Sequence, residues 1–278
     1  MVAGANIRSS ESTRQASFAV LISVGKSRAG VLAFPRMANR FYAEGEARAA
    51  KVNDLFAQVA PRYDLINDLQ SLGLHRLWKR KLVRLAEPAP GKRALDLCCG
   101  TGDVAFALAR AGCEVTGLDF SAEMLAVAER RATADGDPQI ANCKFIRGDA
   151  QKLPISDKSF DIVTISYGLR NLADLDRGLA EMKRVLKSGG RALVLDFGKP
   201  DNAAMRALYF GYLRWFVPLF GRLFCGDSAT HAYILESLLR YPGQRGVEDR
   251  MHAAGFVDTR IIHLLGGMMS INVGRKPE

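Results

Sequence analysis

Between residues 93 and 197 short apolar runs alternate with amphipathic ones, and no other feature restricts the fold as much. The runs 93–98, 114–119, 143–148, 160–166 and 191–197 read as strands. Segments 102–111, 121–132 and 173–187 between them have helical periodicity. Asp135-Gly-Asp-Pro138 reads as a loop and Ser188-Gly-Gly190 as a helix stop. Strands that are apolar on both faces and separated by helices build a parallel sheet covered by helices on both sides. Phe256–Leu264 and Met268–Gly274 read as a closing pair of strands, so the last strand is expected to be antiparallel. The expected class is thus a Rossmann-like α/β fold, and its ligands bind beyond the carboxyl ends of the strands.

The first strand enters Leu95-Asp-Leu-Cys-Cys-Gly-Thr-Gly-Asp103, a glycine turn that opens a helix. Dinucleotide folds use such a turn to bring backbone N–H groups to a pyrophosphate. Here Asp96 and Asp103 flank Gly100, Thr101 and Gly102. A phosphate beside a carboxylate at ~4 Å is opposed by on the order of 4 kcal/mol at an effective dielectric of about 20. The same field attracts a cation. S-adenosylmethionine (SAM) carries a sulfonium and an ammonium and no phosphate. Asp119 ends the second strand, where an acid can take both ribose hydroxyls. Asp149 and Ala150 follow the third strand, suited to the adenine amino group and a ring nitrogen. Ser166 ends the fourth. The turn therefore favours SAM over a nucleotide.

Beyond Ser166, the loop Tyr167-Gly-Leu-Arg-Asn171 offers an arginine and an amide, groups suited to an oxyanion. It lacks the Pro-Pro-aromatic turn expected for holding a flipped base. It also lacks the paired acids a guanidinium substrate would need. The segment Ala207–Phe224 is apolar and aromatic but broken by Arg214, Pro218 and Arg222. It reads as a helical lid inserted at about 200–240 that walls a greasy substrate and dips into a membrane interface. The helix His75–Arg84 holds basic residues and no acid, a pattern that fits anionic head groups.

The chain has 278 residues and a net charge of +10, half of it in residues 1–43. The remainder is only mildly basic, which argues against nucleic acid as a partner. Residues 1–43 read as a separate leader, similar in composition to an organelle transit peptide; Met37 is an alternative start. The domain proper is expected over 44–278, with Ala47–Val59 and Leu74–Leu85 helical. Five cysteines without C-x-x-C spacing suggest reduced thiols and a cytoplasmic setting, with peripheral contact at an inner membrane face. No metal-binding spacing occurs among the four histidines. A homo-oligomer is compatible with the sequence.

From about Lys51 onward the chain resembles the ubiquinone/menaquinone biosynthesis C-methyltransferases. The motifs are Phe56-Ala-Gln-Val-Ala-Pro-Arg-Tyr-Asp64, Asn67-Asp68, His75-Arg-Leu-Trp-Lys79, Asp96–Asp103, Ser166-Tyr-Gly-Leu-Arg-Asn171, Arg184-Val-Leu-Lys187 and Leu195-Asp-Phe197. The resemblance implies SAM contacts at Thr101, Asp119, Asp149, Ala150 and Ser166. It also implies a pocket for a prenylated quinol near Arg170, Asn171 and the segment Tyr63–His75. Cys98-Cys99 looks closer to the demethylmenaquinone branch than to the ubiquinone branch. Ser188 stands where the family usually has proline. A ring carbon becomes nucleophilic only in the reduced quinol, as a hydroxyl gives up its proton. Arg170 and Asn171 are expected to stabilise the phenolate. His75, Asp64 or a water are the candidate bases. Methylation of a sterol or fatty acid, a non-catalytic SAM-binding scaffold and an RNA-binding module using the leader are the competing readings.

Overall fold

The computed structural model describes residues 60, 63–216 and 229–278, all within the compact unit Arg40–Glu278. The expected leader and the expected helix Ala47–Val59 lie outside the described residues, as does 217–228 of the apolar insert. Two helices lead in, α1 (Tyr63–Ser71) and α2 (Leu74–Ala86). Then follow β1 (Arg93–Leu97), α3 (Asp103–Arg110), β2 (Glu114–Asp119), α4 (Ala122–Asp135), α5 (Pro138–Ala141), β3 (Lys144–Arg147) and β4 (Phe160–Ser166). The chain continues through α6 (Leu175–Val185), β5 (Leu186–Phe197), α7 (Ala203–Gly211), α8 (Ala229–Arg240), α9 (Gly243–Ala253), β6 (Val257–Leu264) and β7 (Met269–Arg275).

The seven strands form one sheet in the order β3-β2-β1-β4-β5-β7-β6. The five strands β1–β5 are parallel, and β7 runs antiparallel to both β5 and β6. Strand alternation sorts side chains to two cores. Leu95, Leu97, Val163, Ile165 and Val194 pack with Leu179 and Met182 of α6 and Val247 and Met251 of α9. Ala94, Ile162, Leu193 and Leu195 pack on the other face with Leu82 of α2 and Val104 and Leu108 of α3. The order reverses between β1 and β4, and a crevice opens at their carboxyl ends, where such sheets bind ligands.

Three local readings are corrected. The helix before β5 stops at Val185, and Ser188-Gly-Gly190 lies in the strand. Pairing with the distant C-terminal segment extends the strand: Gly189 N–H donates to the Lys276 carbonyl at 3.0 Å, and Lys276 N–H donates to that of Gly190 at 2.9 Å. The expected loop at 135–138 is shorter, Gly136-Asp137 alone: α4 runs to Asp135, and Asp137 caps a new helix, α5, by accepting from Gln139 N–H at 2.9 Å with Pro138 behind. Helix α1 has no counterpart in the periodicity. None of its residues is fully buried, and Leu65 and Leu69 are exposed.

Candidate functional site

The crevice is built where four strands, β3-β2-β1-β4, end side by side. Cys98 and Gly100 follow β1, Asp119–Ser121 end β2, Gly148–Gln151 follow β3, and Ser166–Gly168 end β4. Tyr63 from α1 closes one side, and Asn171 to Ala173 close another. Two non-glycine residues here adopt left-handed backbone, Cys98 at φ 50° and Tyr167 at φ 61°. Such strain collects at functional sites. Their closeness explains Gly168, since a side chain there would meet Cys98 Cβ at 2.5 Å.

The turn holds its carboxylate tightly. Gly100 N–H donates to Asp119 Oδ2 at 2.8 Å, and Ser121 N–H donates to Oδ1 at 2.9 Å. Gly100's amide is thus spent on a carboxylate and does not serve a phosphate. A carboxylate has about four acceptor positions, so Asp119 keeps capacity for a ligand's hydroxyls. Burial pushes its pKa up. Asp149 accepts from Gln151 N–H at 2.8 Å, which fixes the turn that carries the buried Ala150. The hydroxyls of Ser166 and Tyr167 are buried without a hydrogen-bond partner among the described residues. Burial, then the charge of Asp119, pushes the Cys98 thiol well up, so it stays protonated.

Of the residues singled out in the sequence, Gly100, Asp119, Asp149, Ala150, Ser166 and Asn171 line this cavity. The others are placed elsewhere. Asp96 is 1% exposed and accepts from Thr164 Oγ1 at 2.7 Å, its register partner on β4. Burial raises its pKa to about 7, so it is only partly ionised near neutral pH. Asp103 faces Lys79 Nζ at 2.8 Å and Arg131 Nη2 at 2.8 Å. Burial pushes its carboxyl up, but these two cations outweigh that and hold it at about 2. Its charge is therefore neutralised locally. Thr101 is buried and donates to Asp64 Oδ1 at 2.7 Å. Gly102, at φ 93°, must stay a glycine because any Cβ would meet Phe106 at 2.7 Å. Of the acids expected to make the rim negative, the half-buried Asp119 at β2 and Asp149 after β3 face the cavity.

Of the four residues expected to do chemistry, Asn171 lines the cavity and the other three lie outside its lining. Arg170 is 7% exposed and does not line the cavity; its Nη1 lies 2.7 Å from Asp196 Oδ1 and donates to the Tyr167 carbonyl at 2.7 Å. Its guanidinium also sits over the Phe197 ring, 4.7 Å from the centroid. His75 is buried against Asp68, with Nε2 to Oδ1 at 2.8 Å, and burial lowers its pKa. Asp64 faces Thr101 and, at 3.1 Å, Arg131 Nη1. Neither His75 nor Asp64 lines the cavity. The pairings of Lys79 with Asp103, Arg131 with Asp103 and Asp196 with Arg170 carry no sequence signal, because the partners lie 24, 28 and 26 residues apart on different elements.

A model of the ubiE/COQ5 methyltransferase family matches residues 44–276. The chain belongs to that family. It is 39% identical over 236 residues to demethylmenaquinone methyltransferase of Desulfitobacterium hafniense, covering 84% of this chain and 92% of that one. It is 43% identical over 229 residues to ubiquinone/menaquinone biosynthesis C-methyltransferase UbiE of Xylella fastidiosa, covering 81% and 89%. A SAM-dependent methyltransferase from Thermotoga maritima superposes with a TM-score of 0.58 at 18% identity, over 80% of this chain and 98% of that one. Phosphoethanolamine N-methyltransferase 2 of Haemonchus contortus, solved with SAM, gives 0.54 at 18% over 72% and 52%. At such identities these two speak for the fold alone. As a ubiE/COQ5 family member the chain is a SAM-dependent C-methyltransferase. The cavity suits that cofactor: Gly100 leaves the floor bare, Asp119 keeps open acceptor positions, and the Ser166 hydroxyl has no partner among the described residues.

Proposed function

We propose that the enzyme methylates a ring carbon of a prenylated quinol in quinone biosynthesis, demethylmenaquinol being its preferred acceptor. The observation that carries this reading is the two-part lining of one cavity. The Asp119 and Asp149 side is acidic and suits a cationic nucleoside. The opposite side, with Tyr63, Tyr167, Asn171 and Leu172, is aromatic and apolar with a few polar atoms and suits a hydroxylated ring. The names of the relatives support the same chemistry.

Bound SAM supplies an electrophilic methyl group. Asp119 takes the ribose hydroxyls, Asp149 and Ala150 the adenine edge, and Ser166 a polar group of the cofactor. The acceptor ring lies between Tyr63 and Tyr167, with its reacting carbon toward the Gly100 turn. Fixing two reactants in one orientation supplies a large part of such a rate enhancement. Asn171 lines the cavity, and its amide donates to the Tyr167 carbonyl at 3.2 Å, which positions that wall. Arg170 acts as a positioning residue, since its guanidinium is spent on Asp196 and the Tyr167 carbonyl. His75 and Asp64 are likewise spent on partners, so the proton passes to water at the cleft mouth.

The prenyl tail leaves along the α7 side, where the enzyme meets a membrane surface. Met205, Leu208, Tyr212 and Trp215 recur at helical spacing on α7 and the π-turn after it, and all four are exposed, Leu208 at 72% and Trp215 at 73%. Arg214 stacks over Trp215 at 5.4 Å. An exposed aromatic stripe beside arginine suits the head-group boundary. No helix among the described residues is long and apolar enough to cross a membrane.

The deciding experiment incubates the protein with methyl-labelled SAM and reduced demethylmenaquinone. Label is expected on the ring carbon, and at a higher rate than with 2-methoxy-6-polyprenyl-benzoquinol. Unlabelled rings from protein that binds SAM would exclude a quinol methyltransferase; a reversed preference would move the enzyme to the ubiquinone branch.

A further inference from the structure

We infer that Tyr167 is the residue that donates a hydrogen bond to the acceptor's ring oxygen, with Arg170 and Asn171 serving to aim it. The inference rests on the quinol reading above.

Three observations meet at this residue. The first is its hydroxyl, which lies buried in a side chain of the cavity wall and has no partner among the described residues. A buried hydroxyl without a partner costs stability, and native proteins seldom keep one without a use for it. The second is the backbone. Tyr167 sits at φ 61°, a left-handed conformation that bulky residues rarely adopt. Its peptide groups are held there from three sides. Its N–H donates to the Leu195 carbonyl at 2.7 Å. Its carbonyl accepts from Arg170 Nη1 at 2.7 Å and from Asn171 Nδ2 at 3.2 Å. A strained residue persists only where its surroundings over-determine it. Here both neighbours that the loop offers for anion binding are turned onto the backbone of the tyrosine instead.

The third observation is the environment of the phenol. Burial raises its pKa well above the ordinary value, and the facing Tyr63 and Asp196 raise it further while Arg170 opposes them. The phenol therefore stays protonated and acts as a donor. Lys79 Nζ lies 5.9 Å from the centre of its ring, and the Phe197 ring packs at 6.0 Å. These contacts fix the ring and leave the oxygen as its one unspent polar atom among the described residues. The wall opposite can yield to an entering ring, because Tyr63 rides on α1, which buries no residue fully. In the reaction the phenol keeps its proton. It donates to the acceptor oxygen as negative charge grows there, and so stabilises the transition state more than the ground state.

The test is Tyr167→Phe, which removes one oxygen and keeps the ring. Three measurements are made on wild type and variant: thermal unfolding without ligands, SAM affinity by calorimetry, and steady-state kinetics with reduced demethylmenaquinone. The expected result is an opposition. The variant's Tm rises by about 2–4 °C, because an unpartnered buried hydroxyl is gone. SAM affinity stays within about twofold, and kcat falls on the order of 10- to 100-fold. A lower Tm together with lower activity would make Tyr167 a structural residue and overturn the inference. So would a loss of SAM affinity with acceptor kinetics kept, which would make it a cofactor contact. Wild-type turnover on the quinol with an unimpaired variant overturns the inference alone. A wild type inactive on the quinol removes the proposed function, and this inference with it.

Discussion

Arg131 of α4 reaches Asp64 of α1, with Nη1 3.1 Å from Oδ2, and the same guanidinium holds Asp103 at 2.8 Å and the Thr101 carbonyl at 2.8 Å. One side chain thus ties the first helix to the glycine turn. Because α1 carries Tyr63 to the cavity and buries no residue fully, polar hooks rather than packing hold that wall.

Arg131→Ala should therefore loosen the wall without unfolding the sheet. Partly exposed ion pairs contribute about 0.2–1 kcal/mol each, so the expected effect is roughly three- to tenfold faster release of SAM in stopped-flow chase. Raising salt should shrink the difference between wild type and variant. Equal release rates would mean that α1 does not gate the cofactor.

Asp119→Ala removes the acceptor for Gly100 and Ser121 and, on the present reading, for the ribose. Hydrogen bonds to a charged group contribute about 1.5–3 kcal/mol. SAM affinity is expected to fall by at least about tenfold in calorimetry. Unchanged affinity would remove the cofactor assignment of this crevice.

Arg170→Ala leaves Asp196, 1% exposed, without its cation. Breaking a buried pair costs about 3–5 kcal/mol. Chemical denaturation should show a loss of that order, with part of it restored when Asp196→Asn is added. A fully stable Arg170→Ala protein would contradict the pairing.

The acid limb of stability should belong in part to Asp103. Its pKa is depressed to about 2 from an ordinary 3.8, so its contribution is complete above about pH 4 and is lost as pH falls through 2. The shift corresponds to about 2 kcal/mol. Asp103→Asn is expected to be less stable at pH 6 and to change less than wild type between pH 4 and 2. Asp96 runs the other way. Its pKa is raised to about 7, so it penalises the folded state increasingly from pH 4 to 7. Asp96→Asn should gain stability over wild type across that window in the same titration.

Replacing Leu208 and Trp215 together by serine should weaken sedimentation with anionic vesicles severalfold. Turnover of a short-chain acceptor in detergent-free solution should stay the same. Undiminished vesicle binding would move the membrane face elsewhere, for instance to α2, where Arg76, Leu77, Arg80, Lys81 and Arg84 are exposed.

The order of strands and helices from Arg93 to Phe197, and the ends at which ligands gather, were readable because both follow from short-range periodicity. Side chains alternate every second residue in a strand and recur every 3.6 in a helix whatever the partner. Asp119, Asp149 and Ser166 could be assigned to the cavity for that reason, as Asp119 and Ser166 end strands and Asp149 follows one by two residues. Which charges survive at the site was settled by long-range neighbours. Lys79 and Arg131 cancel Asp103, burial outweighs the Thr164 hydrogen bond and disfavours the charge of Asp96, and Asp196 takes Arg170 out of the cavity. A side chain's charge and availability depend on what it faces across the fold, and the sequence lists those neighbours without saying that they meet.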